Sequence, residues 1–301
     1  MIEAGFNQET IEKAIDTKWA GKTVHFADVI DSTNLWAKTI VKEYVESVEA
    51  DMKQGLESTG EAGMKQRAEC EVKPGHGDLC VAELQTAGRG RLGRKWLAPA
   101  GSNVAMSLIL RPDFAPQYAP MLTLVMGLSV AQAIQKLEKA SNLNVAIKWP
   151  NDAVVSGKKI CGFLTEMSLD GMNIREVVVG VGINVNLAEV EEEIKEVATS
   201  LYLETGKTYN RNEIINLVLQ QFELNYEKYI RTLDLTYLIE DYNNLLINKD
   251  KQVRGLDPKE PFEGIARGIN KQGELLVERE DGEIVAVGAG EVSVRGVYGY
   301  V

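Results

Sequence analysis

Residues 87–96 read Ala-Gly-Arg-Gly-Arg-Leu-Gly-Arg-Lys-Trp, with Gly88, Gly90 and Gly93 alternating with Arg89, Arg91 and Arg94, and Trp96 closing the run. Glycine lets a backbone adopt positive φ and approach a ligand closely. Arginine adds a permanently charged planar fork that suits carboxylate and phosphate oxygens. Such a segment cannot pack a core but can wrap an anion, either as a phosphate-binding site or as a basic surface loop holding nucleic acid non-specifically. The three glycines also match the GxGxxG dinucleotide spacing. That motif requires a helix immediately afterwards, and Pro99 and Gly101 stand where the middle of that helix would be, so the dinucleotide reading is rejected.

Three further clusters carry polar groups suited to a polyanionic substrate. Asp31-Ser32-Thr33-Asn34 opens a helical pattern; these residue types cap helices, and a capped N-terminus also accepts anions or carbonyls. Lys148-Trp149-Pro150-Asn151-Asp152 ends in an amide and a carboxylate, which is either a polar turn or a cation site beside phosphates. Lys159 stands three residues before Gly162, and its neighbour Lys158 reads as an ordinary strand-edge lysine.

The elements that must hold these groups follow from periodicity. A short helix over 7–18, a strand over 23–29 and a helix from 31 to about 48 come first. Residues 49–77 are polar and contain five glycines; they read as a mobile insertion or interaction loop with some helical tendency at 61–71. Strands are expected at 79–84, 103–110, 145–148, 154–158, 159–168 and 175–185, with a long apolar helix over 116–140. Val177-Val178-Val179 marks a central strand. Helical patterns follow over 189–203, 211–230 and 234–248. From Lys251 onward, five short strands in about 50 residues suggest a small barrel.

The chain has 301 residues, 45% hydrophobic and 26% charged, enough for one large domain and a small one. A net charge of -11 argues against broad electrostatic binding of nucleic acid and sets the basic loop apart from its surroundings. The acidic N-terminus lacks an apolar leader, and the apolar runs read as too short for a membrane span. Cys70, Cys80 and Cys161 form no CxxC pair and read as free thiols, consistent with a cytoplasmic protein. With only His25, read as packing, and His76, read as a solvated turn, a His/Cys metal cluster is not expected.

In combination, Asp31–Asn34, Glu83–Trp96, Lys148–Asp152, Lys159–Glu166, Val179–Asn186 and Gly290–Arg295 resemble the biotin protein ligases over about residues 17–301. The resemblance implies an α+β fold: a mixed sheet flanked by helices, like class II aminoacyl-tRNA synthetases, over 1–250, and an SH3-like barrel over 251–301. It implies two steps. Biotin and ATP give biotinyl-5′-AMP, and a lysine of a biotin carboxyl carrier protein then takes the biotinyl group. By the resemblance, Arg89 and Arg91 lie over the carboxylate and α-phosphate, and Arg94 faces the other phosphates. Trp96 packs near the adenine, while Gly88, Gly90 and Gly93 permit closure of the loop, with Gly88 and Gly90 also contacting biotin. Lys159 stabilises the reacting carboxylate oxygen. Ser32, Thr33, Asn34 and Gln85 bind biotin, chiefly through its ureido ring, and Gly162 admits its tail. Asn151, Asp152 and Asn184 contact nucleotide, with Mg²⁺ near Asp152; Arg295 either reaches the site or ties the domains together.

The polar insertion and the short segment before residue 17 depart from the family pattern, and a repressor role with specific DNA binding is not expected. A homodimer is compatible with the resemblance. A lipoate-type acyl-adenylating ligase and a non-catalytic biotin-binding regulator are the alternative functions.

Overall fold

The computed structural model describes residues 5–58, 75–96, 98–137, 143–255, 262–289 and 294–296, with 49–58, 262 and 294–296 for backbone only. Its centre is a seven-stranded sheet in the order β1-β2-β3-β7-β6-β5-β4. The strands are β1 (Val24–Ile30), β2 (Leu79–Gln85), β3 (Val104–Leu110), β4 (Val145–Lys148), β5 (Asp152–Val155), β6 (Lys158–Asp170) and β7 (Asn173–Ile183). Only β1 and β2 run parallel; the remaining neighbours are antiparallel.

Central β7 is buried from Val177 through Ile183, as its β-branched run anticipates. Alternation along this strand sorts its side chains between two faces. Val177, Val179 and Val181 join the main core with α3 (Leu122–Lys136) and α5 (Arg211–Ile230). Val178 joins a second cluster with Cys80, Ile109 and the inner face of α2 (Thr33–Ser58).

Helix α1 (Gln8–Ala14) is held by a capping box between Asn7 and Thr10. Helices α4 (Leu201–Thr205) and α6 (Ile239–Leu245) complete the layers. The expected barrel region forms a five-stranded antiparallel sheet, β11-β10-β9-β8-β12, from β8 (Gln252–Gly255), β9 (Phe262–Ile269), β10 (Leu275–Glu278), β11 (Ile284–Val287) and β12 (Val294–Gly296).

Several expectations need correction. Helix α2 continues to Ser58, well past residue 48, so the first ten residues of the polar segment extend it; 59–74, including the expected helical tendency at 61–71, lie outside the described residues. The apolar stretch 116–140 divides at Met121 into a 3-10 turn containing Pro120 and helix α3. By length and composition alone, Pro116–Lys136 could cross a membrane, but 72% of its most apolar window is buried inside the protein, as befits a core helix.

Residues 189–200 are not helical. There the chain bonds sideways to β6, with Lys159 N–H donating to Val197 O and Thr199 N–H to Lys159 O. Only 239–245 of the stretch 234–248 is α-helical, because the Asp234 carboxylate accepts from Thr236 N–H and Leu235 N–H bonds to Lys271 O, fixing turns instead. His76 is half-buried: it stacks 5.1 Å from Trp19, and its Nδ1 accepts from Arg111 N–H. His25 Nε2 lies 2.8 Å from Asp78 Oδ2.

Candidate active site

The Gly-Arg segment is a folded hairpin. Trp96 N–H donates to Gly88 O at 2.8 Å, Gly90 N–H donates to Arg94 O at 2.7 Å, and Arg89 bridges Lys95. Its tip is a 3-10 turn, Arg91–Gly93, with Leu92 and Gly93 at positive φ and the Leu92 side chain 67% exposed. Gly88 is required by proximity, since a Cβ there would lie 2.3 Å from Trp96 O.

Beneath the hairpin is a cavity of about 140 Å³ that opens to solvent. Its polar end is built where β1, α2 and β2 meet. The first N–H groups of a helix lack intrahelical partners. Here Asp31 Oδ1 accepts from Ser32 N–H, and Gln85 Oε1 accepts from the N–H of Thr33 (2.8 Å) and lies 3.1 Å from its hydroxyl. Helix α2 is thus capped partly by a side chain from β2, which leaves Ser32, Thr33, Asn34 and Gln85 gathered on the cavity wall.

Its floor is bare sheet. Gly162 of β6 pairs with Gly182 of β7, and the Trp96 indole lies across both. A Cβ at Gly182 would stand 2.4 Å from the ring, and one at Gly162 would stand 3.2 Å from it. The indole Nε1 is buried and has no hydrogen-bond partner among the described residues. Gly162 also makes room for Lys159, whose Nζ lies 3.0 Å from where a Cβ would be. This gives the Lys-x-x-Gly spacing a steric reason.

Three of the cations that face this space, Lys159, Arg91 and Arg89, already have partners. Lys159 Nζ is 2.6 Å from Asp152 Oδ1 and 5.5 Å from the Trp96 ring centroid. Arg91 donates to Asn151 Oδ1 at 2.9 Å and to the Ala289 carbonyl at 2.5 Å. Burial holds its guanidinium below the usual arginine range; the Asp152 charge opposes that shift and Arg94 adds to it. Arg89 lies 3.3 Å from Glu166. Arg91 and Lys159 are partly sheltered while Arg89 stays exposed at the rim, and cations gathered in this way can neutralise two anions brought together.

Asn151 and Asp152 are positioned by the buried Trp149, whose N–H donates to Asn248 Oδ1 and whose indole donates to Gly273 O. No cluster of three or more His, Cys, Asp or Glu that could hold a metal is present among the described residues. Asp152 offers one carboxylate, which suits a magnesium ion held chiefly by substrate phosphates rather than by a protein cage.

The cavity therefore gathers Ser32, Thr33, Asn34, Gln85, Arg89, Gly90, Arg91, Arg94, Trp96, Asn151, Asp152, Lys159 and Gly162. Asn184 is not on its wall: the Asn184 side chain accepts from Asn103 and donates to Thr199 O, fixing the end of β7. Gly88 sets the hairpin's shape from behind, and Arg295 has only its backbone described. Trp96 lies on the glycine floor beside Lys159.

Sequence reasoning assigned no role to Lys148, Met106, Gly180 or Gly182, all of which line the cavity. Alternation in β7 could have found the glycines, because Gly180 and Gly182 must share a face. A second cavity of about 420 Å³ adjoins the first across Arg91, Pro150 and Asn151 and is walled by Pro120, Leu124, Met167 and Ala289.

Comparison with known proteins decides the family. Residues 36–184 match the biotin/lipoate A/B protein ligase family, a model that does not separate the two acids. Residues 250–295 match the biotin protein ligase C-terminal domain. The biotin–[acetyl-CoA-carboxylase] ligase of Mycobacterium tuberculosis is 35% identical over 219 residues, covering 72% of this chain and 78% of the relative. The chain belongs to the biotin protein ligase family. The bifunctional ligase/repressor BirA of Bacillus subtilis is 41% identical over 210 residues, 68% of this chain; the match spans 63% of that relative's length. Among solved structures, the biotin protein ligase of Aquifex aeolicus in complex with biotin and ATP superposes with a TM-score of 0.69 at 29% identity, covering 91% of this chain and 99% of the other. As in these ligases, a large mixed sheet flanked by helices is followed by a small antiparallel sheet.

Proposed function

We propose that this chain joins biotin to a lysine of a biotin carboxyl carrier protein by way of biotinyl-5′-AMP. The observation that carries this reading is the cavity itself. A buried polar set with Arg89 above it lies on one side of an aromatic-covered glycine floor, and Lys159 and Arg91 lie on the other. That order matches a molecule with a ureido ring, an apolar tail and a carboxylate that must meet a triphosphate.

In the first step a biotin carboxylate oxygen forms a bond to the α-phosphorus of ATP as the bond to the β-phosphate oxygen breaks, and pyrophosphate leaves. Lys159, next to the Gly162 floor, lies where the carboxylate oxygen would come. Arg91 and Arg89 neutralise the approach, with Arg94 nearer the leaving phosphates. Mg²⁺ would screen phosphate charge as part of the nucleotide substrate, with Asp152 and Asn151 as the nearby oxygen donors. In the second step the uncharged amine of the carrier lysine attacks the acyl carbon, AMP departs with the bonding electrons, and the amine loses a proton. Pairing of buried polar groups with the ureido ring would discriminate against acids lacking it.

The carrier's approach is supported by the second cavity and by the edge of β6. Strand β5 pairs with β6 only through Gly162, so no described strand covers Leu164–Asp170 on that side; Leu169 and the nearby Met172 are exposed. The same edge could support a homodimer. A cytoplasmic location fits the free buried thiols of Cys80 and Cys161. We propose no sequence-specific DNA binding, consistent with the charge of -11; a low-salt gel shift with a discrete sequence-specific band would overturn that part.

The deciding experiment incubates the protein with MgATP, a carrier domain, and either biotin or lipoate, and follows pyrophosphate and carrier mass. Biotin should release pyrophosphate and add one biotinyl group. Turnover with lipoate alone would replace this reading with the lipoate one, and binding of biotin without turnover would make the chain a regulator.

A further inference from the structure

We infer that Glu166 is a positioning residue that seats Arg89 at the mouth of the cavity and ties it to the polar set beneath. The inference rests on the proposed ligase reading but concerns a side chain to which that reading gives no role.

Glu166 projects from β6 towards α2 and is only 17% exposed. Three donors converge on its carboxylate: Lys38 Nζ at 2.9 Å, Asn34 Nδ2 at 2.9 Å and the Arg89 guanidinium at 3.3 Å. Burial pushes this carboxyl up, but the hydrogen bonds from Lys38 and Asn34 and the charges of Lys38 and Arg89 outweigh it. The group therefore sits below the ordinary glutamate range and stays ionised at neutral pH.

Asn34 connects it to the rest of the wall. The Asn34 amide also donates to Leu164 O, and its oxygen accepts from Ser107 Oγ at 2.6 Å. Ser107 Oγ lies 2.7 Å from Thr33 Oγ1, whose hydroxyl can donate to it, and the Thr33 backbone N–H donates to Gln85 Oε1. Gly180 makes this possible, because a Cβ there would be 2.2 Å from Asn34 Oδ1. One continuous polar chain thus runs from the cation of the hairpin to the groups proposed to hold the ureido ring.

Lys38 is a fixed counter-charge on a helix, whereas Arg89 belongs to a hairpin and is 45% exposed. Glu166 therefore keeps one permanent partner and presents the other to the cavity already oriented, lowering the cost of ordering a long side chain when the anion arrives.

The test is a double-mutant cycle on Glu166→Gln and Arg89→Ala, read as kcat and KM for biotin-dependent pyrophosphate release. In the parent, Glu166→Gln should lower kcat about tenfold; in the Arg89→Ala background the same change should alter it less than about twofold, the signature of a pair acting together. An equal loss in both backgrounds would mean that Glu166 works through Lys38 and Asn34 alone, which overturns the inference, as would parental turnover in Glu166→Gln.

A second readout needs no turnover and so separates failure of this inference from failure of the ligase reading. Trypsin should cut the ligand-free chain after Arg89 several-fold faster in Glu166→Gln, and an unchanged rate would count against the pairing. Glu166→Asp, which keeps the charge for Lys38 but shortens the reach, should show the same faster cleavage while retaining the parental Tm, guarding against a folding defect.

Discussion

Gly162 and Gly182 face each other across two strands; a methyl at Gly182 would collide with Trp96, and one at Gly162 would crowd both Trp96 and Lys159. Gly182→Ala would press a Cβ into the indole, and overpacking of this kind costs about 1–3 kcal/mol. Because the indole can lift away, the loss should fall on ligand binding. We expect the Kd for biotin, measured by calorimetry, to rise roughly ten- to a hundredfold, with the melting temperature little changed. Lys159→Ala should act oppositely. Biotin should still bind, while pyrophosphate release should slow by roughly two to three orders of magnitude, the scale of a lost transition-state contact. At this scale much was legible. Lys159 and Gly162 are near neighbours in sequence, and the hairpin carries its own composition. Alternation in β7 can put Gly180 and Gly182 on one face, but the pairing of Gly182 with Gly162 comes from cross-strand register, and Glu166 acquires meaning only through Lys38 and Asn34, which no local pattern contains.

At the scale of elements, the return of the hairpin into β3 depends on a contact between β2 and α5. Glu83 forms a two-pronged ion pair with the buried Arg211, at 3.0 and 3.1 Å, and also accepts from Gly101 N–H. Phe6, which precedes α1, covers the guanidinium at 3.7 Å. Removing one partner of a buried pair strands the other. Glu83→Ala should therefore lower stability by on the order of 2–3 kcal/mol, measurable by urea denaturation, and loosen the hairpin's C-terminal root. Periodicity located α5 and every strand of the large sheet to within a few residues, because those elements bury regular faces. It failed at 189–200 and around 234, where bonds to distant backbone and an aspartate-capped turn outweigh local helical tendency.

Over the whole molecule, phenols shielded from water should govern the behaviour in alkali. Burial is the largest cause raising Tyr44 and Tyr226 to about 12, with Asp78 adding to the first and Asp113 to the second. A raised pKa contributes stability that is full below the unfolded value of about 10 and disappears as pH climbs through the folded value. Near-ultraviolet titration should therefore show these phenols ionising late, together with loss of structure between about pH 10 and 12. Glu166 works in the opposite direction. Its lowered carboxyl contributes stability above about pH 4.3 that is lost as acid protonates it, so Glu166→Gln should flatten the acid limb of a melting-temperature profile.

Arg91 meets the small C-terminal sheet at the Ala289 main-chain oxygen, just beyond β11. A carbonyl is supplied by whichever amino acid occupies that position, so substitution at residue 289 cannot by itself delete the acceptor. Chain length can: one residue inserted between Val287 and Ala289 would carry the oxygen out of reach while leaving every side chain chemically intact. Evolution at this corner is therefore free to change letters and constrained against changing their number.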